Sequence, residues 1–157
     1  MSPRNTGTGA VLEHTVLPAL ERNGYQYFAR SKDRGKAKGV PDPRLFDDPF
    51  RPSRKHRLDI LVLTGSGERI GISAKWQQVG GTAEEKVPME VLRLMSFLEG
   101  GLLDRAYLLL AGNGWSLKGH FLDRQFLNRF CSSAKVKENV LIVDLDTLLG
   151  LINQRKL

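Results

Sequence analysis

The sequence has little sulfur or imidazole to work with. Cys131 is its only cysteine, and His14, His56 and His120 are its only histidines in 157 residues. An intramolecular disulfide is therefore excluded, and neither cysteine nor histidine occurs at zinc-ligand spacing, so any metal would have to be held by oxygen. Cys131, in "FLNRFCSSAK", reads as a small core residue. Long apolar runs are also missing: no stretch of about 18 apolar residues is available to span a bilayer. The opening "MSPRNTGTGAVLEH" has neither the basic start nor the continuous apolar segment of a secretory signal. The expectation is a cytoplasmic protein with no membrane partner.

Acid is in deficit. Twenty-four Lys and Arg face 17 Asp and Glu, giving a formal charge of +7 and a pI near 9.8. A basic chain of this kind suits an anionic partner. The excess is concentrated: between Arg30 and Arg57 stand ten basic residues and four acidic ones. This stretch, "ARSKDRGKAKGVPDPRLFDDPFRPSRKHR", is rich in proline and glycine and is expected to be a long irregular loop. Long loops in compact domains are usually functional, and a basic one can follow a phosphate backbone. Arg30, Lys32, Arg34, Lys36, Lys38, Arg54, Lys55 and Arg57 are candidate phosphate contacts. The alternative is a solvated linker.

With 41% hydrophobic residues the chain can bury one sizeable core. A single domain over 1–157 is expected, with the basic loop 30–57 inside it. Leu12, Val16, Ala19 and Leu20 recur at helical spacing between Gly9 and Asn23, with Pro18 expected to kink the helix. "YQYFAR" reads as a strand. "RLDILVL" and "RIGISAKWQ", joined by "TGSGE", form a hairpin candidate. In the second arm, alternation puts Ile70, Ile72, Ala74 and Trp76 on a core face and Gly71, Ser73, Lys75 and Gln77 on the other.

Helical spacing resumes from Val87 to Leu98, with Pro88 placed in the first turn and Thr82 and Glu85 able to form a capping box. "AYLLLAG" is a buried-type strand, Leu117 to Phe130 a helix, and "VLIVDLDTLLGLINQ" a strand running into a last helix. Helices alternating with strands indicate an α/β fold. "GNGW" ends a strand before a helix, where Lys118 and backbone amides could meet phosphate.

Asp59 and Lys75 are the residues out of keeping with this pattern, because charges are costly in strands unless paired or used. They lie in the two arms of one hairpin. A carboxylate beside a lysine is half of a hydrolytic metal site, and equally a cross-strand salt bridge.

An acid in one strand, a tight turn, then (acid)-x-Lys in the next strand and a following helix resembles the core of the PD-(D/E)XK nucleases, the restriction-endonuclease-like superfamily. The matching pieces are "LD" at Leu58 and Asp59 and "SAK" at Ser73 to Lys75, within roughly Glu13 to Gly112. The resemblance implies an α/β restriction-endonuclease-like core, a central mixed sheet of four to five strands flanked by helices. It implies a Mg²⁺-dependent DNA endonuclease, with Mn²⁺ as a substitute, acting as a homodimer on duplex DNA.

Two positions depart from the pattern: Leu58 replaces a proline, and Ser73 replaces the second acid. Similar Ser-x-Lys members take the missing carboxylate from the following helix, and here "TAEEKVPME" offers Glu84, Glu85 and Glu90, of which Glu85 is preferred. The implied site is Asp59, Lys75, Glu85 and Gln77, with Glu13 and Glu84 as further metal ligands. A structure-specific nuclease, such as a junction resolvase or phage recombination nuclease, and a non-catalytic DNA-binding module are the alternatives.

Overall fold

The computed structural model describes residues 7–29, 42–77, 83–131 and 133–157. Seven strands occur in the described residues: β1 (Gln26–Ala29), β2 (Leu45–Asp47), β3 (Lys55–Arg57), β4 (Ile60–Leu63), β5 (Arg69–Trp76), β6 (Arg105–Ala111) and β7 (Val140–Val143). Five of them make one mixed sheet in the order β1-β4-β5-β6-β7. β1, β4 and β5 pair antiparallel, whereas β5, β6 and β7 pair parallel. β2 and β3 form a separate antiparallel hairpin. The expected α/β architecture with a mixed sheet of four to five strands is the one observed.

β5 and β6 are central strands buried on both sides, and their period of two divides the core into two halves. Ile70, Ile72 and Ala74 of β5 and Tyr107, Leu109 and Ala111 of β6 pack on one side. They meet helices α2 (Leu17–Arg22) and α7 (Leu145–Asn153), through Ala19, Leu20, Leu148 and Ile152. On the other side Ala106, Leu108 and Leu110 meet α3 (Ala83–Glu99) through Val87, Val91, Leu94 and Leu98. Each such aliphatic side chain, when fully buried, contributes about 1.5–3 kcal/mol. Gly71 belongs to this second side because a Cβ there would come within 2.7 Å of Leu103 Cδ1.

The first helix is interrupted. α1 (Gly7–Val11) leads into a π-helical turn, Leu12–Val16, before α2. Pro18 has no N–H to give and its ring crowds the carbonyl four residues back, so the wider turn, in which Leu17 N–H reaches Leu12 O, accommodates it. Pro88 was expected in the first turn of α3, yet the helix starts at Ala83 and Pro88 lies inside it. The expected helix from Leu117 to Phe130 is two, α4 (Lys118–Leu122) and α5 (Arg124–Asn128). Asp123 breaks it by taking an extended conformation and accepting a hydrogen bond from Gln125 N–H as the cap of α5. α6 (Ala134–Asn139) precedes β7.

The basic stretch needs the largest correction. Its part from Asp42 onward is not irregular, because "LFD" and "KHR" pair as β2 and β3 and Asp48 N–H bonds Arg54 O at 2.9 Å to close their turn. Arg30, Lys32, Arg34, Lys36 and Lys38 lie outside the described residues, as do Gly80, Gly81 and the capping residue Thr82. Arg57 is on β3, so "RLDILVL" is not one strand: the chain bends at Leu58 and Asp59 before β4. The buried Leu58 side chain and the bond from Leu58 N–H to Arg44 O, 3.0 Å, hold that bend.

Candidate active site

The bend brings Asp59 to β5. In the β4–β5 ladder Ile60 faces Ile72, so Asp59, one residue earlier, reaches the continuing strand, and its Oδ2 accepts a hydrogen bond from Ala74 N–H at 2.8 Å. Among the described residues Oδ1 of Asp59 accepts none. Burial pushes the Asp59 carboxyl above its ordinary value, although the Ala74 N–H and the Lys75 ammonium act to lower it. A neighbouring cation can therefore gain from binding it.

Ser73 points from β5 to the α3 side and meets a carboxylate. Its hydroxyl donates to Glu90 Oε1 at 2.9 Å, and Glu90 is only 1% exposed. His56 Nε2, from β3, lies 3.2 Å from the same oxygen. Arg93 Nη1 lies 2.9 Å from Oε2, and Arg93 in turn spans to Asp48 with two contacts of 3.4 Å. Burial alone would raise the Glu90 carboxyl, but His56, Lys75 and Ser73 outweigh it and hold the group down at about 2. Asp59 and Glu90 both feel the positive charge of Lys75, and the Glu90 charge helps to raise the Asp59 carboxyl. Among the described residues Lys75 itself makes no direct hydrogen bond or ion pair.

Glu90, His56, Asp48 and Lys75 line a cleft of about 400 Å³ together with Arg51, Lys55, Arg57 and Lys86, whereas Asp59 is not among its described lining residues. The cleft therefore combines buried carboxylates with a cationic rim, which suits a ligand carrying both phosphate and a bridging cation. A scan against protein families matches residues 4–156 to the PD-(D/E)XK nuclease superfamily domain. The chain belongs to the PD-(D/E)XK nuclease superfamily. Searches of curated proteins and of solved structures gave no significant match.

PD-(D/E)XK nucleases generally use divalent metals and act on nucleic acid. No group of three or more His, Cys, Asp or Glu able to hold an ion occurs among the described residues. Two carboxylates, Asp59 and Glu90, still fit a hard ion such as Mg²⁺, which keeps several waters and takes one or two carboxylates together with substrate phosphates. The open Oδ1 of half-buried Asp59 is the feature that fits best. Among the described residues no helix is long and apolar enough to cross a membrane.

The other expected site residues are dispersed. Glu85 is exposed and lines the mouth of the same cleft. Glu84 faces the β6–α4 loop, where its carboxylate accepts hydrogen bonds from Ser116 N–H, Leu117 N–H and the Ser116 hydroxyl. The Leu117 and Ser116 bonds hold its carboxyl below the usual range. Gln77 is buried, and its side-chain amide donates to Gly114 O at 2.7 Å in that same loop. Lys118 begins α4 beyond it. Glu13 lies exposed in the π turn and, like Gln77, Glu84 and Lys118, is not among the described cleft residues. Arg54 is exposed in the hairpin turn, Lys55 pairs with Asp47, and Arg57 Nε lies 3.2 Å from Asp42. Arg44 is buried in a forked contact with Asp42.

His56, Arg93 and Asp48 were not anticipated. Only Arg93 left a signal, the i,i+3 spacing from Glu90 along α3, which places oppositely charged side chains together.

Proposed function

We propose that this chain is a Mg²⁺-dependent endodeoxyribonuclease, with Mn²⁺ able to substitute, centred on Asp59, Lys75 and Glu90. The observation that carries the reading is Glu90 against Ser73: a carboxylate from α3 lies beside the strand position where the family pattern has an acid. Geometry favours Glu90 over Glu85 and Glu84 in this role, since Glu85 is exposed and Glu84 is engaged by Ser116 and Leu117. Asp59 and Glu90 would hold the ion, which when bound neutralises charge developing on the phosphate. Lys75 orients a water for in-line attack on phosphorus, and the P–O3′ bond breaks to leave a 5′-phosphate. Arg51, Lys55, Arg57 and Lys86 grip the flanking phosphates. Cutting both strands of a duplex needs two such centres, hence a homodimer.

The test is supercoiled plasmid with Mg²⁺, with and without EDTA, for wild type, Asp59→Ala and Lys75→Ala. Metal-dependent cutting by wild type alone, with DNA binding kept in both variants, is the expected result. Intact DNA under all metal conditions, with salt-sensitive binding retained, would instead favour a DNA-binding module.

A further inference from the structure

The β2–β3 hairpin is not part of the main sheet, and an isolated two-stranded hairpin is at best marginally stable. Its anchors lie on α3. Phe46 packs on Phe97 with ring centroids 5.1 Å apart. His56 also lies near the Phe97 ring and Arg93 over that of Phe50, while the polar anchors converge on Glu90. Asp48 closes the hairpin turn, accepting Phe50 N–H at 2.9 Å on Oδ1, and the same carboxylate receives Arg93 through Nε and Nη2. Arg93 carries the contact on to Glu90 Oε2, while His56 of β3 meets Glu90 Oε1.

Both oxygens of Glu90 are thus fixed by groups that depend on the hairpin, with Ser73 as the contact from the sheet. Asp48, Glu90 and Arg93 are each less than a tenth exposed. A buried charge that loses one partner leaves the other uncompensated, so members of such a chain stand or fall together. We infer that Asp48, Arg93 and His56 are positioning residues for the Glu90 carboxylate, so that docking of the β2–β3 hairpin and placement of Glu90 are one coupled event. The catalytic consequence rests on the nuclease reading; the coupling itself does not. The hairpin also carries Arg51, Lys55 and Arg57 into the cleft, so a phosphate backbone held there bears on the element that aims Glu90.

Two readouts test this on the full chain. The first is amide hydrogen exchange of the hairpin, without metal or DNA, in Arg93→Met, Arg93→Lys, Asp48→Asn and Glu90→Gln. Arg93→Met, Asp48→Asn and Glu90→Gln should speed exchange at Asp48 and Leu58 by roughly tenfold or more while β5 and β6 keep their protection, with Arg93→Lys closer to wild type. The second is DNA cleavage with Mg²⁺, where Arg93→Met and Asp48→Asn should lower kcat by roughly tenfold or more with KM changed little, and Arg93→Lys should recover part of the loss. Unchanged hairpin exchange in Arg93→Met and Glu90→Gln overturns the coupling. A loosened hairpin with unchanged kcat overturns the positioning role. If the wild type cuts no DNA, the nuclease reading fails separately, and the positioning role falls with it while exchange still decides the coupling.

Discussion

The Ser73 hydroxyl donates to Glu90 Oε1 across 2.9 Å, joining the middle of β5 to the second turn of α3. Serine is a poor divalent-metal ligand, but a serine that holds a carboxylate keeps negative charge at its position. Lys75, two residues on along the same face of β5, acts on that carboxylate and on Asp59 together. The site is therefore built from one strand, the bend before its neighbour and one helix.

Acid should weaken the metal-free protein through Glu90. Its folded value of about 2 lies below the ordinary 4.5, so the stability it contributes is fully present above about pH 4.5 and is lost as pH falls towards 2. The shift corresponds to something on the order of 3 kcal/mol. Denaturant unfolding of wild type and Glu90→Gln at pH 6 and pH 3 checks this: wild type should lose more stability between the two pH values than the variant does.

Gly112 and Gly71 should respond differently to alanine. At Gly112, φ is +92° and a Cβ would lie 2.4 Å from the backbone oxygen of Gln77, so neither strain nor clash can be relieved by a side chain. A loss of about 3 kcal/mol or more is expected there. At Gly71 the closest atoms are the methyl ends of Leu103 and Leu58, which can shift, so about 1–3 kcal/mol is expected. Thermal or denaturant midpoints of the two variants should rank in that order.

Arg51 and Lys86 line the cleft without forming any ion pair among the described residues. Replacing either with alanine should weaken DNA binding similarly across sequences and reduce the slope of log affinity against log salt by about one. Titration of a labelled duplex at several salt concentrations gives the slope.

The fold was legible because its strongest signals are local. The alternation of Ile70, Ile72 and Ala74 against Gly71 and Ser73 marked one core face of β5, and those residues pack in the core as read, whereas the packing of Gly71 against Leu103 and Leu58 on the other face was not visible in the pattern. The apolar run in β6 and the strand-to-helix sequence from Val140 were equally plain. The β2–β3 hairpin was hidden because its strands are three residues each, charged, and held by α3 instead of by their own pattern. For the site, Asp59 and Lys75 stood out as charges interrupting apolar strands.

The rest depended on contacts far apart in sequence. Spacing could offer Glu84, Glu85 and Glu90 but not choose among them. The carboxylate that turns inward is the one nearest the apolar stripe of α3, and because the helix starts at Ala83 with Pro88 inside it, Glu84 and Glu85 belong to its first turn and not to a preceding turn folded back on β5. His56 reaches Glu90 across 34 residues and Arg93 reaches Asp48 across 45, distances at which no periodicity operates.

Anomalous diffraction from a crystal soaked in Mn²⁺ tests the proposed centre most directly. The account predicts a peak in the cleft with Asp59 and Glu90 among its protein ligands and Lys75 close by. A peak held by Glu84 or Glu85 without Asp59, or no peak at a Mn²⁺ concentration that supports cleavage, would contradict it.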